Sequence, residues 1–255
     1  MWGKKVKQTM HYTPASFVDM HAHILPGMDD GARDAAMSAA MLARMAEQGI
    51  TSVVSTSHFY PEDEAPDAFL ARRREAALRL REVYDPTCHP QLFVGAEVAY
   101  YPGISRSAQT EKLRILGTRY ILIEMPFCPW SSDMLRELLS LGVQTGLTPV
   151  LAHMERCLPY QPRTTLSQLL ARGVLLQSNA EYFLNKKTSK EALRYLSAGH
   201  ISFLGSDAHN TEGRPPNLGE AFDVIARTLG TEPLLRLEEN GKRLIEGATA
   251  LFDAP

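Results

Sequence analysis

The chain has 255 residues, 44% of them hydrophobic and 22% charged, with 17 glycines and 16 prolines. That composition excludes a disordered, collagen-like or coiled-coil protein and suits one large α/β domain or two small ones. The formal net charge of −2 gives no bulk attraction to nucleic acid or to an anionic membrane.

Cys88, Cys128 and Cys157 are an odd number with no close pair. They argue against a disulfide scaffold or a thiolate zinc site and make a reducing cytoplasm the expected location. Arginine outnumbers lysine 19 to 8, a bias that suits bidentate anion contacts.

The elements follow in chain order. Residues 1–16, MWGKKVKQTMHYTPAS, start basic but carry no apolar core, so they read as a loose arm and not as a signal peptide. No run of about 18 apolar residues, the length of a membrane-spanning helix, occurs anywhere. Phe17-Val18 opens the first strand. Ala36, Ala40, Met41 and Met45 then recur at helical spacing before Gly49. Strands are expected at Ser52–Ser55, Leu92–Val94, Tyr120–Ile123, Pro149–Ala152, Val174–Leu176 and Ile201–Leu204. Between them, Asp67 to Tyr84 forms a charged helix whose Arg72-Arg73-Arg74 run reads as a solvated face. Leu135, Leu138, Leu139 and Leu141 precede Gly142 and Gly146; Leu166, Leu169 and Leu170 precede Gly173. Leu193 and Leu196 precede Gly199, with Thr188-Ser189-Lys190-Glu191 as a capping box at the start of that helix. Helices over Leu218–Leu229 and Pro233–Ile245 close the chain.

Seven strands alternating with helices, without a composition break or internal repeat, predict one α/β domain over residues 17–255 with a parallel sheet. The Gly-x-Gly-x-x-Gly of a dinucleotide fold is missing after the first strand. A closed or nearly closed barrel of seven βα units fits better.

The informative residues stand where each apolar run ends. The first strand ends in His21-Ala22-His23 and is followed by Asp29-Asp30-Gly31; the next three end in His58, Glu97 and Glu124, the fifth in His153, and the seventh in Asp207-Ala208-His209. Barrels of this kind build their sites at that rim. Residues two apart in a strand share a side at roughly 6.6 Å, so His21 with His23, and Asp207 with His209, can each chelate one ion. Five histidines and four carboxylates (Asp30, Glu97, Glu124, Asp207) crowded together without cations would leave repelling charges and unpartnered imidazoles. A metal site follows. Imidazole plus carboxylate without thiolate suits Mn, Fe, Zn or Mg. His11, His89 and His200 lack the strand-end placement and read as structural or solvated.

The strings DMHAHILPGMDDG, STSH, GAEV, IEM, AHMERC, NA and SDAHN followed by GRPP resemble the PHP (polymerase and histidinol phosphatase) superfamily. Within it they are most similar to the bacterial protein tyrosine phosphatases of capsule and exopolysaccharide operons, the CpsB/YwqE type. The similarity runs from about Asp19 to Ile245. It implies a distorted (β/α)7, TIM-like barrel holding three divalent metal ions, with manganese expected, on His21, His23, Asp30, His58, Glu97, Glu124, His153, Asp207 and His209. It also implies that Arg156 and Arg214 grip the phosphate, and that the substrate is a phosphotyrosine protein, the tail of a bacterial tyrosine kinase that controls polysaccharide export.

The expected mechanism is attack on phosphorus by a metal-bridging hydroxide, available because bound metals lower the pKa of water to about 7. A phenolate, with a pKa of about 10, leaves readily enough that a weak general acid suffices. Asp29 and Glu155 are the candidates for that acid. Cys157 and Arg163 have the Cys-x5-Arg spacing of cysteine-dependent phosphatases, but Leu-Pro-Tyr-Gln-Pro between them removes two backbone donors and offers no glycine. Trp130, Phe59, Tyr60, Tyr100 and Tyr101 are candidates for holding a phenyl ring. The alternatives are a phosphoesterase acting on a small phosphate ester such as histidinol phosphate, and a non-catalytic metal-binding domain.

Overall fold

The computed structural model describes residues 12–252. Seven strand positions follow one another in chain order around a curled parallel sheet. They are β1 (Phe17–Ala22), β2 (Ile50–Ser55) continued by β3 (His58–Phe59), β4 (Gln91–Val94) continued by β5 (Glu97–Ala99), β6 (Tyr120–Glu124), β7 (Thr148–Leu151), β8 (Leu175–Asn179) and β9 (Phe203–Gly205). One ladder runs β1-β2-β4 and the other β3-β5-β6-β7-β8-β9. The first and last strands meet at an Ala22–Ala208 bridge, where His23 N donates to Ala208 O at 2.9 Å and Asp207 N to His21 O at 2.8 Å. The expected order of seven βα units is therefore present.

The difference lies in the second and third strands, each of which breaks once. The breaks fall at Thr56-Ser57 and Gly95-Ala96, where Gly95 N reaches Ser55 O at 2.9 Å and Glu97 N reaches Ser57 O at 3.0 Å. Beyond them His58 and Glu97 pair directly in register. The break thus brings two polar strand ends together at one rim.

Two apolar layers hold the sheet. Val18, Met20, Val54, Phe93, Leu122, Val150 and Phe203 fill the inside of the curl, with Leu244 packed among them. The outer layer packs strand residues such as Phe17, Val53 and Ile121 against the surrounding helices. Those helices are α1 (Ala35–Glu47), α2 (Pro66–Arg81), α3 (Ser132–Thr145), α4 (Met154–Cys157), α5 (Thr164–Ala171), α6 (Ala180–Leu184), α7 (Ser189–Ser197), α8 (Leu218–Leu229) and α9 (Glu232–Ile245). Each large side chain buried in these layers contributes roughly 1.5–3 kcal/mol.

Several local expectations differ from the structure. α3 runs through Gly142 and stops at Gly146, whose φ of 72° is the left-handed geometry that ends helices. Gly142 instead allows close approach, since a Cβ there would lie 3.1 Å from Leu147 O. The capping box before α7 is not made: the Thr188 side chain caps no helix N–H and donates to Tyr182 O at 2.8 Å. The arginine run is solvated at Arg72 and Arg74, which are exposed, but not at Arg73, which is 8% exposed and donates to Gly95 O; Arg72 also donates to Met28 O. Of the segment read as a loose arm, residues 1–11 lie outside the described residues, His11 among them. Tyr12 is held, its N–H by Asp223 at 2.9 Å and its hydroxyl by Glu238 at 2.6 Å. Among the described residues no helix is long and apolar enough to cross a membrane.

Candidate metal centre

The loop after β1 folds back on the strand that precedes it. Ala32 N donates to His23 O at 3.1 Å. A Cβ on Gly31 would sit 2.4 Å from the Cβ of His23, so only glycine permits this return. Gly205 does the same for His21, where an added Cβ would lie 2.6 Å from the histidine Cβ. The two non-glycine residues with positive φ among the described residues are His153 at 28° and Asp207 at 52°. Both belong to the expected ligand set, and such backbone strain concentrates at functional sites.

The nine expected ligands converge. Four overlapping groups have ligand atoms within 4.8 Å of one another: His23, Asp30, His58 and His209; His21, His23 and Asp207; His21, Glu97 and His153; and His58, Glu97 and Glu124. Among the described residues these groups contain all nine and no other residue. Glu97 is the hub. Its Oε2 lies 3.0 Å from His21 Nε2, 3.2 Å from His23 Nε2 and 3.1 Å from His58 Nδ1, and its Oε1 lies 2.7 Å from His153 Nε2. Glu97 is 1% exposed and His21 and His23 are fully buried, whereas the Asp30 side chain is 65% exposed at the mouth.

This donor set fits divalent cations. His58 Nδ1 and His209 Nε2 are buried without a hydrogen-bond partner, although a carboxylate oxygen lies 3.1 and 3.2 Å away. A buried polar atom left unpaired costs about 1–3 kcal/mol, which a cation between nitrogen and carboxylate removes. Burial pushes His58, His153 and His209 down toward the neutral form that ligates metal. Burial alone would raise the Glu97 carboxyl, but His21, His153 and His23 hold it well below the ordinary range. Glu124 is pushed up to about 7, first by burial and then by the charge of Glu97.

The residues that orient the imidazoles were less legible. Asp29 Oδ2 lies 2.8 Å from His23 Nδ1 and accepts His58 N–H at 2.8 Å; Asp29 Oδ1 accepts Gly31 N–H. Burial would raise it, but the bonds to His23 keep it well below the ordinary carboxylate range. His21 Nδ1 faces Gln177 Oε1 at 3.3 Å. Gln177 also accepts His153 N–H at 2.7 Å and donates to Asn179, and Asn179 donates to Asp207 Oδ2 at 2.8 Å. The available signal was Gln177-Ser178-Asn179 itself, a buried polar run at the end of a strand that delivers no histidine or carboxylate.

Arg156 leaves α4 and donates to Asp207 Oδ2 at 2.7 Å. Arg214 reaches the same oxygen at 2.8 Å from a loop closed by Arg214 N–H to Asn210 Oδ1. Both arginine side chains are 40% exposed. Glu155 is not at this mouth. It accepts Asn179 N–H and lines a cavity of about 570 Å³ with Arg163, Tyr182 and Tyr195. The Cys157 thiol is buried, pushed up to about 12 by burial and by Glu155, and bonded to Met154 O; Arg163 lies with Glu155 on that separate cavity. Neither forms a phosphate loop.

Of the five aromatics, Phe59 is core at 1% exposure. Tyr100 and Tyr101 bond Glu137 and Thr110, and Trp130 donates to Pro126 O. Tyr60 alone of them stacks on one of the expected ligands, His58, with centroids 5.3 Å apart and planes at 23°. It lines a cleft of about 380 Å³ with Met28, Asp30 and Arg72.

Residues 17–246 match the family model for capsular polysaccharide synthesis, CpsB/CapC. The chain is 32% identical over 250 residues to the tyrosine-protein phosphatase YwqE of Bacillus subtilis, covering 93% of this chain and 95% of that protein. It is 29% identical to the tyrosine-protein phosphatase CpsB of Streptococcus agalactiae, over 84% of this chain and 92% of that one. The crystal structures of YwqE from Bacillus subtilis and CpsB from Streptococcus pneumoniae, described as metal-dependent tyrosine phosphatases, include a chain with a TM-score of 0.80 and 30% identity. That match covers 91% of this chain and 96% of the other. The chain belongs to the CpsB/CapC family of capsular polysaccharide synthesis.

Proposed function

We propose that this chain is a metal-dependent tyrosine phosphatase of the CpsB/YwqE type, working in capsular polysaccharide synthesis. The observation that carries the reading is one mouth at which nine imidazole and carboxylate ligands converge and two arginines meet. His21, His23, Asp30, His58, Glu97, Glu124, His153, Asp207 and His209 would hold three divalent ions, with Mn²⁺ the first choice and Fe, Zn or Mg also compatible with the donor set. When bound, such ions supply Lewis acidity and a water acidified to a pKa of about 7.

The chain's own residues do the rest. Arg156 and Arg214 bind the phosphoryl oxygens through forked guanidinium donors, which match two oxygens as ammonium does not. Asp207 holds both arginines at the rim before substrate arrives. Asp29 and Gln177 hold the tautomers of His23 and His21, so each Nε2 lone pair faces inward. The phenolate product, with a pKa of about 10, leaves without a strong acid beside it. The substrate is a phosphotyrosine protein, the tail of a bacterial tyrosine kinase in the cytoplasm.

The test is phosphate release from a phosphotyrosine peptide, with histidinol phosphate alongside, before and after chelation and with Mn²⁺ restored. Activity on the peptide that is lost with chelator and regained with metal supports the reading. Faster turnover of histidinol phosphate moves the substrate to a small ester.

A further inference from the structure

Two of the ligand imidazoles carry an aromatic ring at the mouth, one on each side of Glu97. Tyr60 stacks on His58, which lies against Glu97 Oε2. Phe127 packs edge-on against His153, with centroids 5.5 Å apart and planes at 69°, and His153 holds Glu97 Oε1. Phe127 is 44% exposed. A lone exposed phenylalanine needs no explanation; one set against a ligand at the entrance of a charged site does.

The loop that carries Phe127 is held by hydrogen bonds at both of its ends. Trp130 Nε1 donates to Pro126 O at 2.9 Å and closes it. Gln161 then staples it to the helix of Arg156: its Oε1 accepts Trp130 N–H at 3.0 Å, and its Nε2 donates to Cys128 O at 2.8 Å and to Cys157 O at 3.1 Å. One side chain therefore ties the loop bearing Phe127 to α4, which presents Arg156.

We infer that Phe127 and Tyr60 are the walls that recognise the aryl group of the substrate, and that Gln161 is a positioning residue holding the Phe127 wall in register with Arg156. This rests on the phosphatase reading above and names what makes the site prefer an aryl phosphate. Once the phosphate is held at Arg156 and Arg214, an aryl substituent meets one or both rings and an alkyl substituent of a few atoms does not. An aromatic pair of this kind changes an equilibrium by roughly two- to tenfold.

The test uses two phosphonates that cannot be hydrolysed, phenylphosphonate and methylphosphonate, titrated calorimetrically into the Mn²⁺-loaded protein. We expect phenylphosphonate to bind about tenfold more tightly. Phe127→Ala should remove most of that preference, Phe127→Trp should restore it, and Gln161→Ala should lower it with metal content and folded circular dichroism retained. A preference that survives in both Phe127→Ala and Tyr60→Ala overturns the inference. So does binding of both phosphonates with equal affinity to the parent protein, which leaves the phosphatase reading standing. Binding of neither overturns that reading and this inference with it.

Discussion

Arg156 and Arg214 donate to a single atom, Oδ2 of Asp207, at 2.7 and 2.8 Å. Two guanidinium groups repel each other, and the buried carboxylate between them offsets that repulsion. Asp207 can do this because, against its burial, His21, Arg156 and His23 hold it well below the ordinary carboxylate range. The arrangement keeps two forked donors side by side at the edge of the ligand ring. Replacing either with lysine keeps the charge and loses the fork. We expect Arg156→Lys and Arg214→Lys each to lower kcat/KM on a phosphotyrosine peptide by about a hundredfold with metal content retained. Inhibition by inorganic phosphate should weaken in parallel. An unchanged phosphate inhibition constant would remove both residues from phosphate binding.

Glu97 touches four imidazoles at once. Glu97→Gln preserves its shape and removes the charge that they surround. The expected result is loss of bound metal and of at least a thousandfold in activity, read by elemental analysis and phosphate release. Retention of full metal content would show that Glu97 is not a ligand.

Asp29 lies against His23 Nδ1 at 2.8 Å, the placement of a residue that acts through a histidine. Asp29→Asn leaves an acceptor beside His23 Nδ1 but removes the charge that fixes its tautomer. Metal affinity should fall about 10- to 100-fold. Activity at saturating Mn²⁺ should recover most of the loss, which a proton-donating role for Asp29 would not allow.

Glu124 supplies the pH dependence. With its carboxyl at about 7, a metal ion must displace a proton from it below that pH and none above it. Affinity for Mn²⁺ therefore falls as the pH drops below about 7, with one proton from Glu124 added to those from the histidines. Glu124→Gln should reduce the slope of log affinity against pH by about one between pH 5.5 and 7, and leave the slope above 7.5 unaltered. Equal slopes in both proteins would place this carboxyl in its ordinary range.

Cys157 is fully buried and its thiol is pushed up to about 12, so no thiolate nucleophile forms near neutral pH. Cys157→Ser should keep activity within about threefold and cost about 1–2 kcal/mol of stability, because a smaller and more polar side chain replaces a fully buried thiol. Iodoacetamide should modify the exposed Cys88 and Cys128 and leave Cys157 unmodified in the folded protein, read by mass spectrometry. A loss of a hundredfold with unaltered metal content would make the thiol the nucleophile.

The strand-and-helix order and the convergence of nine imidazole and carboxylate side chains were legible in the sequence, because both follow from local rules. A run of buried residues sets a strand, and the βα alternation makes every strand parallel. All their C-terminal residues, from His21 to His209, must then share one rim. What lies across the rim depends on register and on where loops return, which periodicity does not encode. Only the tertiary structure decided that Asp29 faces His23, that Glu155 turns to a separate cavity, and that Phe127 sits on His153. It also decided that Arg73, in a charged run that reads as solvated, is buried against Gly95. Each of these is a contact between residues distant in the chain or aimed by a loop, and its free energy exists only once the sheet has closed.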